Sequence, residues 1–135
     1  MSFSNSAESD INNYIFKGIN VSWDGNTDLW LALHTADPGE AGSAVTNEAA
    51  YGGYARVTMT RASDFTVSGA TVKNASIKQF PLCTSGSATC THMSIVTSSS
   101  GAGTIIVSGE LTDTVNVNIN IQPQFAADAL VFVLD

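Results

Sequence analysis

Leu29-Trp30-Leu31-Ala32-Leu33-His34, followed by Thr35-Ala36-Asp37-Pro38-Gly39, is the stretch whose reading decides the fold class. Leu29, Leu31 and Leu33 alternate with Trp30, Ala32 and His34, and a period of two sends successive side chains to opposite faces of a strand. A helix would need its apolar residues three and four apart. Asp-Pro-Gly then ends the run as a turn, because Pro presets its own backbone angle and Gly reaches conformations that other residues avoid.

Working outward, the same pattern recurs in short runs rich in β-branched and aromatic residues, set apart by Gly, Ser, Asn and Pro. Residues 38–53 read as a long surface loop. Strands are expected over Tyr54–Arg61, with Ala55, Val57 and Met59 on one face, then Phe65–Val67, Thr71–Ile77, Met93–Thr97, Thr104–Ser108, Val115–Ile121 and Leu130–Leu134. In Val115–Ile121 the apolar residues alternate with Asn116, Asn118 and Asn120, which predicts one apolar face and one row of amides. Gly101-Ala102-Gly103 reads as a hairpin turn. Only the start of the chain has helical spacing: Ile11, Tyr14 and Ile15 share a side, Asn5 with Glu8 suits an N-cap, and Gly18 suits the end. Short strands with regular turn signals and no room for crossover helices predict an all-β fold, an antiparallel β-sandwich of about eight short strands, jelly-roll-like or immunoglobulin-like. The expected organisation is a single domain over residues 1–135, with an N-terminal arm and helix at 1–18 and the sandwich at 28–135.

The 135 residues carry five Lys plus Arg against twelve Asp plus Glu, a net charge of -7. That sign repels a phosphate backbone or an anionic bilayer, and no Lys or Arg follows Lys78, so neither nucleic acid nor membrane is an expected partner. No apolar run approaches the roughly 18 residues of a spanning helix, and MSFSNSAESD has neither the basic nor the apolar region of an export signal. Charged residues make up only 13% of the chain, about half of the roughly 25% usual for soluble domains. Ser, Thr, Asn and Gly take their place, which predicts a surface made largely to face other protein.

Candidate chemistry is sparse. His34 and His92 are the only ready bases near neutral pH, but no serine stands in a G-x-S-x-G elbow, and His34 reads as a histidine bonded to loop backbone. Cys83, Cys90 and His92 form C-x6-C-x-H, wider than zinc pairs and without a fourth ligand; a hairpin whose ends hold two thiols, able to form a Cys83–Cys90 disulfide, is the simpler reading. Asp24-Gly25-Asn26-Thr27-Asp28 begins like a calcium loop, but Leu29 and Thr35 stand where Gly and Glu are needed, so it reads as a turn. No enzymatic activity, cofactor or metal is expected.

Asn13-Tyr14-Ile15-Phe16-Lys17-Gly18, Leu29 to Gly39, Asn47-Glu48, Tyr51-Gly52-Gly53-Tyr54-Ala55-Arg56-Val57, Asn74-Ala75-Ser76-Ile77 with Phe80-Pro81, Gly109-Glu110-Leu111, and Phe125 to Asp135 stand in a distinctive order and spacing. Together they resemble a family of small tailed-bacteriophage virion proteins, tail-fibre-like and in some phages used as head decoration or cement. The resemblance implies a structural role in a virion. The expected function is a decoration or cement protein on the capsid exterior, present in the host cytoplasm during assembly, with a tail or adaptor subunit as the alternative. A carbohydrate-binding module, using Trp23, Trp30 and Tyr54, is the competing class. Expected partners are the major capsid protein and other copies of the chain in a dimer or trimer, through Phe3, Ile11, Tyr14, Phe16, Trp23, Tyr54 and Arg56. Residues 1–10 are expected to lie against another subunit, and Arg56 is expected to pair with Glu48 at the base of the long loop.

Overall fold

The computed structural model describes residues 2–133. Strands β1 (Ser2–Phe3), β2 (Asp28–His34), β3 (Val57–Thr60), β7 (Ala88–Val96) and β8 (Ile105–Val117) form a five-stranded sheet in the order β1-β8-β7-β2-β3. Opposite its core face stands a three-stranded sheet, β10-β5-β4, built from β4 (Phe65–Ser68), β5 (Thr71–Asn74) and β10 (Val131–Val133). A two-stranded ribbon joins β6 (Lys78–Gln79) to β9 (Gln124–Phe125). All pairings are antiparallel, so the expected all-β sandwich is the architecture observed. The closing strand covers Val131–Val133; Met1 and Leu134, which belong to expected elements, lie outside the described residues.

The decisive run forms β2 as its periodicity predicts. Leu29, Leu31 and Leu33 enter the main core with Met59, Met93, Ile95, Val107, Phe80 and Phe132. Burying each of these side chains contributes about 1.5–3 kcal/mol. The opposite face of β2 is also covered: Ala32, Val96 and Ile105 pack with Ala44 and Trp30 in a second cluster, because the loop after β2 folds back over the sheet. Ala49 N–H donates to Leu33 O at 2.8 Å and Thr35 N–H to Asn47 O at 2.8 Å.

Several elements differ from the sequence reading. β7 starts at Ala88, five residues before the expected Met93, the strands expected over Thr104–Ser108 and Val115–Ile121 belong to one strand, β8, and β1, β6 and β9 have no expected counterpart. The strand expected from Tyr54 begins at Val57, and Ala55 is exposed, because the Tyr54 and Arg56 side chains are held by Glu48 instead of entering a ladder. The strand expected over Thr71–Ile77 ends at Asn74, whose fully buried amide donates to Ser76 O and Ala126 O, both at 2.8 Å, and accepts from Leu130 N–H at 2.9 Å. The strand expected over Val115–Ile121 ends at Val117. Asn120 takes a left-handed backbone (φ +69°) and Ile121 N–H closes a turn on Asn118 O at 2.9 Å, leaving Ile119 and Ile121 exposed. Finally, the helix α1 (Asn5–Lys17) starts one residue earlier than the Asn5 cap predicts: Ser4 is the N-cap, its Oγ accepting from Ala7 N–H at 3.1 Å. Gly18 ends α1 at φ +66° as expected.

The N-terminus is tied to its own sheet. Ser2 and Phe3 pair with Ser108 and Val107, Ser4 N–H donates to Ile106 O at 3.0 Å, and Ser4 Oγ donates to Ile105 O. These bonds tie residues 2–4 to the chain's own sheet.

Candidate functional site

The seven candidate interface residues separate into three groups. Tyr54 and Arg56 belong to a buried network. Arg56 Nε and Nη2 donate to the two carboxylate oxygens of Glu48 at 2.7 and 2.8 Å, the bidentate arrangement that a planar guanidinium suits. Its Nη1 donates to Ser98 O at 2.8 Å and its Nη2 to Gly101 O at 2.6 Å, so one side chain pins the long loop to the β7–β8 turn. Tyr54 Oη donates to Glu48 Oε1 at 2.9 Å and accepts from Leu33 N–H at 3.2 Å. The hydrogen bond to Glu48 raises the Arg56 pKa further, against the cost of burial, and burial pushes the Tyr54 phenol up. The expected Glu48–Arg56 pair is present. With its side chain 2% exposed, Arg56 is engaged inside the chain.

Trp23 forms the second group. It is half-buried, and the Arg61 guanidinium stands 5.4 Å from its ring centroid, a cation–π distance. Arg61 Nη1 also donates to Asp24 O and Asn26 O at 2.8 and 2.9 Å, which makes the Asp24-Gly25 stretch a clamped turn. Tyr54 is bonded to Glu48, and Trp30 packs on the second cluster.

Helix α1 and β1 carry the third group. Only Ala7 of α1 is buried. Phe3 and Ile11 are half-buried and line one shallow cavity with Glu8 and Asn12. The last turn then carries its apolar residues into solvent: Tyr14 is 58%, Ile15 61% and Phe16 79% exposed, and Ile19 beyond it 54%. Ile15 and Ile19 extend the exposed apolar group beyond the expected Tyr14 and Phe16, and the density of apolar residues around Gly18 is its signal in the sequence.

His34 is fully buried, its Nδ1 2.8 Å from Thr46 O and its Nε2 2.7 Å from Ser94 Oγ. It is the loop-bonded histidine expected, and burial lowers its pKa against opposing contributions from Thr46 and Glu48. Cys83 and Cys90 are buried free thiols; Cys83 Sγ donates to Ser85 O at 3.3 Å, and burial pushes the Cys90 thiol up to about 11. Among the described residues, no group of three or more His, Cys, Asp or Glu is placed to hold a metal ion, and no helix is long and apolar enough to cross a membrane.

The chain is thus an antiparallel sandwich with one exposed, apolar-tipped helix. A family model described as podophage GP4 fiber I protein gp80 matches residues 2–133. The chain belongs to this family. Membership makes it a tailed-phage virion structural protein of the fibre type. Every element from β1 to β10 falls inside the matched gp80 span. A search of curated proteins finds no match.

Proposed function

We propose that this gp80-family chain is a non-enzymatic subunit of a virion fibre, carried on the outside of the particle and assembled through the apolar end of α1 with other copies of itself. The observation that carries this reading is the last turn of α1. A helix that buries one residue of thirteen on its own domain gains little stability from propensity alone, since isolated helices of this length are marginal in water. Exposing an aromatic residue and two isoleucines beside a fourth apolar residue costs solubility, and such patches mark protein contacts. The family description favours a fibre over the capsid-surface decoration role that the sequence resemblance also implied.

A cryo-EM map of the virion tests the location. Density for the sandwich in a fibre projecting from the particle is the expected result. Copies seated singly on the capsid lattice would replace the fibre assignment with decoration.

A further inference from the structure

One end of the sandwich is open. Phe3, Leu29, Phe65, Val72, Ile106 and Phe132 line a cavity of about 230 Å³ between the two sheets. Val67 stands at its mouth, 71% exposed, although it pairs across the sheet with Val72, which pairs with Phe132 on the inner face. Cross-strand partners share a face, so Val67 points inward and meets solvent because nothing covers it. Arg61 is the one charged residue lining this cavity. Its Nη1 is engaged by the Asp24 turn, and among the described residues its Nε and Nη2 donate to no acceptor.

The same chain carries a matching projection. An apolar cavity of about 150 Å³ is enough for a benzene ring, so this one has room for the phenyl group of Phe16. The helix end also suits the rim. Gly18 and Ile19 N–H groups satisfy Tyr14 O and Asn13 O, while the carbonyls of Ile15, Phe16 and Lys17 have no partner among the described residues. A helix C-terminus carries partial negative charge on such carbonyls, and Arg61 supplies donors where they would arrive. Tyr14, Ile15, Phe16 and Ile19 together expose roughly 500 Å².

We infer that the Phe16 end of α1 in one copy inserts into the Val67-rimmed cavity of a second copy. The contact is heterologous, joining two different patches, so it closes into a ring or propagates along a fibre. This rests on the assembly role proposed above for α1, but not on where in the virion the protein lies.

Complementation between two variants tests it by sedimentation velocity. Phe16→Glu removes the projection and keeps the cavity; Val67→Glu blocks the cavity and keeps the projection. Both positions are exposed, and unchanged circular dichroism and urea midpoints establish that both variants fold. Wild type is expected to self-associate, each variant alone to do so at least about tenfold more weakly, and an equimolar mixture to regain a one-to-one dimer. Self-association of Val67→Glu at the wild-type level means that helices pair with each other and overturns the inference, as does a mixture that stays monomeric or a wild type that never associates. Any of these results leaves a fibre location in the virion untouched, and a capsid location leaves the inserted-helix contact untouched.

Discussion

Replacing Arg56 with alanine should destabilise the domain more than any other single surface-loop change, and the size follows from what the guanidinium holds. It donates two bonds to Glu48, at 2.7 and 2.8 Å, and one each to Ser98 O and Gly101 O. The Arg56 and Glu48 side chains are 2% and 14% exposed, so the pair is shielded from screening by salt. Removing one member of a buried ion pair typically costs about 3–5 kcal/mol, because the remaining charge stays desolvated. Tyr54 Oη still reaches Glu48 and the exposed turn carbonyls can turn to water, which places Arg56→Ala near the lower end, about 3 kcal/mol. Glu48→Gln keeps shape and one acceptor and should cost about 2 kcal/mol. The double variant Arg56→Met with Glu48→Leu removes both charges and should cost much less than the sum of the corresponding single changes, with a coupling energy of about 2 kcal/mol or more. Urea unfolding with an unchanged m-value measures all of these. Amide exchange at Thr97 and Thr104 should also accelerate in Arg56→Ala, since the turn they flank loses its clamp. An Arg56→Ala cost below about 1 kcal/mol, or strictly additive single changes, would refute the clamp.

Three further outcomes are expected. Burial lowers the His34 pKa in the folded state, so as pH falls below about 6.5 the unfolded chain takes up the proton first and stability drops until the folded pKa is reached; the urea midpoint should fall from pH 7.5 to pH 5.5 by no more than one proton's slope, about 1.4 kcal/mol per pH unit, and a His34→Gln variant should flatten the profile. Cys83 and Cys90 should resist a thiol reagent in the native protein and both react in guanidinium chloride; two unreactive sulfurs after unfolding would show a disulfide, and fast native reaction would contradict their burial. Asn74→Ala removes three side-chain hydrogen bonds, two that tie β5 to the last segment and one to Ser76 O, and should cost about 3 kcal/mol in the same unfolding assay, while a neutral result would mean that water replaces the amide.

What was legible followed periodicity, and what was not followed single bonds. The period of two in Leu29–His34 needs only one covered face to be decisive, and it led directly to β2. The same logic failed at Val115–Ile121 because Asn118 and Asn120 serve equally as outward strand residues and as turn formers, and a pattern of alternation cannot tell which. In β8 the register with β7 shifts between His92↔Glu110 and Cys90↔Val115, which leaves Leu111–Thr114 out of the β7 register, an irregularity that no local propensity announces. Strand β1 has two residues, too few to carry any period; it exists because Ser4 both caps α1 and bonds to β8. The Glu48–Arg56 pair was readable because it joins two oppositely charged residues eight apart in one connection, between β2 and β3. The open cavity was not, since its walls come from strands far apart in the chain and its mouth is marked by a missing neighbour.

The scarcity of charge has a consequence for how copies meet. Arg56 is paired with Glu48 and Lys78 with Asp64 at 2.8 Å, where the Lys78 bond and charge, with the Thr60 N–H, outweigh burial and hold the Asp64 carboxyl below its usual range. Two of the five basic residues are therefore consumed in the fold and a third, Arg61, clamps a turn, while most of the twelve acidic residues remain on the surface. Beyond a Debye length of about 8 Å in physiological salt this net charge is screened, and at shorter range like-charged subunits repel, so no long-range attraction gathers them. Cohesion has to come from contacts that act only once surfaces touch, and an apolar helix end entering an apolar cavity is such a contact. Arg61 fits this scheme because it sits at the cavity rim, where a lone cation offers donors to helix carbonyls without drawing in acidic surfaces elsewhere on the neighbour.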